Sequence, residues 1–172
     1  MSRPDYTISQ EKETALTLSL AERLLKENFN ASNTVIVTVS TDYSSNVGQL
    51  LRHTLSHDKE ICDGFGIDVP YPDQTWDDNY INELKEVFNL YYYKLKDKKI
   101  LFVEAGVIRG GNYTFVSNFV KDDLGIKDEL YFLSLFENKG SIFKSDYVGE
   151  YYDDTTQDLT FWWEKENKHW IV

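Results

Sequence analysis

Glu104, Arg109, Gly110, Gly111, Asn112, Tyr113 and Thr114 lie close together in the chain, and residues of these types at this spacing can hold an anion. The Gly110-Gly111 pair permits positive φ and a close backbone approach to a ligand. Amide N–H groups at a turn entering a helix N-terminus carry partial positive charge toward a phosphate or carboxylate. Arg109 adds a full charge, and Asn112 and Thr114 add side-chain donors. The plainer alternative is a tight strand-to-helix turn whose glycines serve backbone geometry alone.

The elements around this turn are readable from periodicity. Ile100 to Val103 form a short apolar strand that runs into Glu104, and helical residues resume near Tyr113. Upstream, Leu16, Leu20, Leu24 or Leu25 and Phe29 recur at helical spacing, and Asn30 to Asn33 break the pattern. Thr34 to Val39 is a β-branched run short enough for a buried strand. The polar turn Ser40-Thr41-Asp42-Tyr43-Ser44 follows, then Val47, Leu50, Leu51 and Leu55 as a second helix. Asp42 or Ser44 suits the N-cap of that helix.

Ile67 to Val69 predicts a short strand stopped by Pro70 and Pro72, and Ile81, Leu84, Phe88, Tyr91 and Leu95 a third helix. Leu130 to Phe136 predicts another strand. Beyond it, Tyr147, Tyr151, Tyr152, Phe161, Trp162, Trp163 and Trp170 sit among Asp and Thr, as in short strands with turns. Strands alternating with helices imply an α/β fold, a twisted and mainly parallel sheet covered on both faces. Ligands of such sheets bind outside the carboxyl ends of the strands. The loops after Val39 and after Val103 are both placed there.

The chain of 172 residues suits one domain, with a polar tail over residues 1–10. Its aromatic share of 15% supports a sizeable core. The 29 Asp and Glu against 18 Lys and Arg give a formal charge of −11, which disfavours bulk nucleic acid and anionic membranes. Neither a signal peptide nor an apolar run of roughly 20 residues is present, so a cytoplasmic protein is expected. Cys62 is the single cysteine, which excludes an internal disulfide and a cysteine metal cluster. His53 and His57 stand at i, i+4 without an evident third metal ligand. Gly-x-Ser-x-Gly and Walker-type Gly-Lys-Ser/Thr patterns are absent, which removes those hydrolase and P-loop readings.

The run Leu101-Phe102-Val103-Glu104-Ala105-Gly106-Val107-Ile108-Arg109-Gly110-Gly111-Asn112 resembles the fingerprint of the type I phosphoribosyltransferases, four apolar residues, two acids and a loop ending in Thr-Gly-Gly-Thr. A second stretch, Ser141-Ile142-Phe143-Lys144-Ser145-Asp146-Tyr147-Val148-Gly149-Glu150 followed by Phe161-Trp162-Trp163-Glu164, is similar to the tail of the xanthine/guanine salvage branch. The resemblance covers roughly residues 34 to 164. It implies a phosphoribosyltransferase-like fold with a small C-terminal hood over about 137–172. It also implies transfer of phosphoribosyl from phosphoribosyl pyrophosphate to a purine, with Mg2+, in a protein that is often a homodimer.

On this resemblance Glu104 holds the ribose, directly or around Mg2+. Arg109, Gly110, Gly111, Asn112, Tyr113 and Thr114 form the 5′-phosphate loop, and Ser40, Thr41 and Asp42 the pyrophosphate loop. Lys139, with Lys144 as the other choice, faces the purine, and Phe161, Trp162 and Trp163 flank it. Residues 71–78 stand where the family carries a mobile catalytic loop. Several positions depart from the pattern, among them Arg109 and Asn112, which stand where the family usually has small hydroxyl residues. Ala105 replaces the second acid, Ile108 replaces the acidic base of several members, and the pyrophosphate loop has Asp42 but no Lys, Arg or Gly. The alternative is a nucleotide- or phosphate-binding sensor or interaction protein on the same fold, without turnover.

Overall fold

The computed structural model describes residues 5–57, 60–69, 78–126 and 129–167, with backbone alone described for 41–43 and 165–167. Five parallel strands form the main sheet in the order β3-β2-β4-β5-β6: β2 (Thr34–Val39), β3 (Asp63–Ile67), β4 (Lys99–Val107), β5 (Leu130–Asn138) and β6 (Tyr147–Tyr152). The helices between them are α1 (Gln10–Lys26), α2 (Thr41–Leu55), α3 (Asp78–Leu95) and α4 (Gly111–Asn118), the last running on into a π-helical turn over Phe119–Asp123. Leu20, Leu24, Val47, Leu51 and Leu55 of α1 and α2 pack against one sheet face with Leu101, Val103 and Leu133. Leu84, Phe88, Tyr113 and Val116 of α3 and α4 cover the other with Val37, Phe102 and Phe132. The chain has the α/β architecture its periodicity predicts.

Four boundaries differ from the sequence reading. The polar tail contains a strand, β1 (Asp5–Ile8), which pairs in parallel with β7 (Asp158–Phe161) to make a separate two-stranded sheet. Its polarity misled the reading, because only Ile8 of the four turns fully inward. The strand predicted at Ile67 to Val69 ends at Ile67 and begins at Asp63, since Gly64 and Gly66 masked an edge strand with little apolar signal. The predicted hood is divided: β6 joins the main sheet, while β7 and α5 (Trp162–Asn167) stand with β1. Trp170, His169 and residues 70–77 lie outside the described residues, so of the segment 71–78 only Asp78, the first residue of α3, is described.

The fourth difference bears on function. β4 does not stop at Val103 but continues to Val107, so Glu104 is a strand residue. Near its end the alternation of faces slips. Val103, Ala105, Leu133 and Leu135 face α1 and α2, yet so does Phe136, whereas Val107 faces the α3 and α4 side. The register stays in step across the slip, with Glu104 opposite Ser134, Gly106 opposite Phe136 and Val107 opposite Glu137. Gly149 on β6 belongs to the same level: a Cβ there would stand 2.5 Å from the Leu135 carbonyl oxygen. Two residues in succession pointing one way send the next, Glu137, to the face that Glu104 occupies.

Candidate functional site

Glu104, on the interior strand β4, is only 7% exposed and its Oε1 accepts a hydrogen bond of 2.7 Å from Asn112 Nδ2. Burial raises the carboxyl pKa to about 8, with the Asn112 bond pulling the other way. The group is therefore largely a neutral acid at pH 7. Asn112 Nδ2 also donates to Ser40 Oγ at 3.3 Å. One side chain thus ties the strand acid of β4 to the loop that ends β2.

Ser40 sits in the left-handed region, φ 57°, and is the N-cap of α2 without a side-chain capping bond. This corrects the expectation that Asp42 or Ser44 caps the helix: α2 starts one residue before Asp42, and Ser44 lies inside its first turn. Buried there, Ser44 Oγ accepts from the Ala105 amide at 3.1 Å. The sequence pointed to Ser40, Thr41 and Asp42 as an anion loop; Ser40 is brought to the site, and the side chains of Thr41 and Asp42 lie outside the described residues.

The Gly-Gly turn is present. Gly110 is the N-cap of α4 with φ 82°, and Gly111 opens the helix, so the first amides of α4 have no partner within the helix. Gly110 has a second reason to be glycine. A Cβ would stand 2.6 Å from Phe143 Cβ and 2.7 Å from Ser141 Oγ, because the β5–β6 connection crosses it. That connection holds the turn in place: Asn138 Nδ2 donates to Ile108 O at 3.0 Å, and the Ile142 amide to Arg109 O at 3.2 Å. Arg109 is exposed at the turn, and its guanidinium makes no hydrogen bond or ion pair among the described residues. Ile108, 53% exposed, offers no acid or base.

The structure reduces what two loop residues offer. Tyr113 is fully buried, packed on Phe132 and Phe143, with its hydroxyl donating to Leu133 O. Only its backbone amide serves the turn. Thr114 donates its hydroxyl to Gly110 O at 2.9 Å, inside the first helical turn. Sequence spacing marks both as helix-start donors but does not say which side chains the core takes.

The predicted base-binding set is also rearranged. Lys139 is exposed at the end of β5, and Lys144 folds back, its Nζ donating to Lys139 O at 3.0 Å. Phe161 is buried, stacked on Trp163 at 5.0 Å and 12°, edge-on to Phe136, and close over Gly106. One of its faces is therefore filled by protein. Trp163 donates its indole N–H to Glu13 Oε2 at 3.3 Å, on a buried acid of α1 whose pKa burial raises, while the buried Trp162 indole N–H makes no hydrogen bond among the described residues. These aromatics anchor α5 to α1.

Glu104 as it stands does not fit a Mg2+ ion. It is buried and bonded to Asn112, Ala105 beside it carries no oxygen ligand, and no group of three acidic, His or Cys ligands occurs among the described residues. No step is assigned to a metal held by the protein.

One acid here was not singled out from the sequence. Glu137 is 0% exposed at the C-terminal end of β5, opposite Val107. Its Oε2 accepts from the Ser145 amide at 2.9 Å and from Ser134 Oγ at 3.3 Å, and its Oε1 has no hydrogen bond. Glu104 and Glu137 both act on the buried Tyr113 phenol, whose pKa is raised by burial first and then by these carboxyls. The available signal was an acid ending an apolar strand, the same signal that marked Glu104.

No protein-family model matches the chain, and no curated protein matches it by sequence. Solved structures do match. A xanthine-guanine-hypoxanthine phosphoribosyltransferase from Helicobacter pylori superposes with a TM-score of 0.67 at 18% identity, covering 98% of each chain. A purine phosphoribosyltransferase from Pyrococcus horikoshii gives 0.63 at 20% identity, covering 91% of this chain and 93% of that one. A Neisseria gonorrhoeae protein with bound ppGpp gives 0.66 at 14% identity, covering 98% and 96%. This chain has the type I phosphoribosyltransferase fold, as its loop and tail motifs imply.

Proposed function

We propose that the β4–α4 turn takes the 5′-phosphate of a purine ribonucleotide or of phosphoribosyl pyrophosphate, and that the chain transfers phosphoribosyl to a purine base. The observation that carries this reading is the turn itself: the left-handed Gly110, the open amides of α4 and the unpaired Arg109 stand at the carboxyl end of the central strand. Glu104 is within reach of the same turn through Asn112 and is the group this reading assigns to the ribose hydroxyls. Catalysis of this kind rests mainly on electrostatic stabilisation of an oxocarbenium-like centre and a departing pyrophosphate. Mg2+ in this reading arrives on the oxygens of phosphoribosyl pyrophosphate.

A second reading, binding without transfer, is favoured by specific residues. Ala105 is buried where the family has its second acid, and Glu104 is largely neutral and already engaged. The bound ppGpp of the Neisseria neighbour gives this reading a precedent on the fold. One experiment separates the two. The protein is incubated with phosphoribosyl pyrophosphate, Mg2+ and each of adenine, guanine, hypoxanthine and xanthine, and nucleotide formation is followed. Transfer predicts product with at least one base. Absence of product, together with thermal stabilisation by a nucleoside monophosphate, leaves binding alone. No stabilisation by any phosphate ester would remove both.

A further inference from the structure

We infer that Glu137 is a specificity residue for the base, selecting a ligand edge that presents an N–H donor. The inference rests on the phosphate-binding reading of the β4–α4 turn. A buried carboxylate oxygen without a hydrogen bond carries a desolvation cost that a donor removes. Glu137 Oε1 is such an oxygen, on a side chain that is 0% exposed.

Its position follows from the slip in the sheet. Strict alternation would turn Glu137 toward α1 and α2. With Leu135 and Phe136 both facing that side, Glu137 emerges with Ser134, which stands directly opposite Glu104. The two acids therefore share one face at the carboxyl ends of neighbouring strands. Glu137 pairs with Val107, one residue short of the turn, and Asn138 next to it holds the turn carbonyl of Ile108.

That oxygen forms a long ion pair with an exposed side chain. Lys144, itself 57% exposed, places Nζ 3.9 Å from Oε1, beyond hydrogen-bond distance, while bonded to Lys139 O. A planar heterocycle replacing that ammonium meets an acceptor. An amino or ring N–H satisfies it, and an edge bearing lone pairs alone opposes it.

The second carboxylate oxygen makes the idea testable. The Ser145 amide requires an acceptor at the Oε2 position. In Glu137→Gln the side-chain oxygen must stay there, which puts the NH2 group where the free oxygen was. The substitution exchanges acceptor for donor with little change of shape.

Binding of AMP, GMP, purine riboside 5′-monophosphate and ribose 5-phosphate is measured by calorimetry for both proteins. In the unaltered protein the better of AMP and GMP is expected to bind about tenfold or more tightly than purine riboside 5′-monophosphate, which has no base N–H. In Glu137→Gln that gap is expected to close or invert, with ribose 5-phosphate affinity unchanged. An intact gap in the variant overturns the inference. So does a gap below about twofold in the unaltered protein, which needs no variant to fold. If neither ribose 5-phosphate nor any nucleotide binds, the reading of the turn fails, and this inference with it. Ribose 5-phosphate binding without base discrimination removes Glu137 alone.

Discussion

At the scale of single residues, Glu104 sets the site's chemistry through its protonation. Its folded pKa of about 8 lies above the ordinary carboxyl value of 4.5, because burial penalises the anion. Between those values the unfolded chain releases a proton that the folded chain keeps, so the group's contribution to stability falls as pH rises from about 4.5 to about 8. Glu104→Gln keeps the shape and removes the titration. The variant is expected to match the unaltered protein near pH 5 and to melt at a higher temperature near pH 8; parallel melting curves over that range would contradict the burial account. Asn112→Ala removes the hydrogen bond to this carboxyl together with the weaker one to Ser40 Oγ, and is expected to cost about 1–2 kcal/mol in denaturant unfolding. Glu104 and Gly110 were legible as candidate residues because an acid after an apolar run and a glycine pair are local signals. That the Tyr113 ring enters the core depends on how α4 docks on the sheet, and that Glu137 stands on the face of Glu104 depends on the slip in β5; no local pattern records either.

At the scale of elements, the site depends on two backbones passing closer than a side chain allows. Gly110 combines positive φ with the β5–β6 connection lying across it, whereas Gly125 has φ 69° and nothing within 4 Å of a built Cβ. The pair separates strain from contact. Gly125→Ala is expected to cost about 1–2 kcal/mol, the left-handed penalty alone. Gly110→Ala adds the collision with Phe143 and is expected to cost several degrees more in thermal melting, at roughly 2–4 °C per kcal/mol for a chain of this size. Equal losses would mean that the connection gives way easily. Helices α1 to α3 were legible because each carries an apolar face at 3.6-residue spacing. β1 and β3 were not, being edge strands with little burial: β1 turns only Ile8 fully inward and β3 only Ile67. Period-two reasoning also fails at Leu135 and Phe136, where alternation itself breaks.

At the scale of the whole molecule, the proposed anionic ligand would approach a protein of formal charge −11. Composition alone gives this field, and it is the part of the function most legible without a structure. Sites for phosphate esters are usually lined with lysine and arginine, and there added salt slows association by screening attraction. Here Arg109 is the cation on the turn itself, Lys144 is ion-paired with Glu137, and the amides of α4 act only at short range, so the long-range term is repulsive. Association of a nucleoside monophosphate is therefore expected to speed up, by about twofold or more, as ionic strength rises from roughly 20 to 150 mM. Dissociation, governed by buried short-range contacts, is expected to change little. Arg109→Gln should steepen the salt response, since it deletes the one local attraction that screening also weakens. Stopped-flow binding at several salt concentrations reads all three quantities. A rate that falls with salt would show that the local field at the turn is positive despite the charge of the chain, and would require basic side chains at the site beyond Arg109.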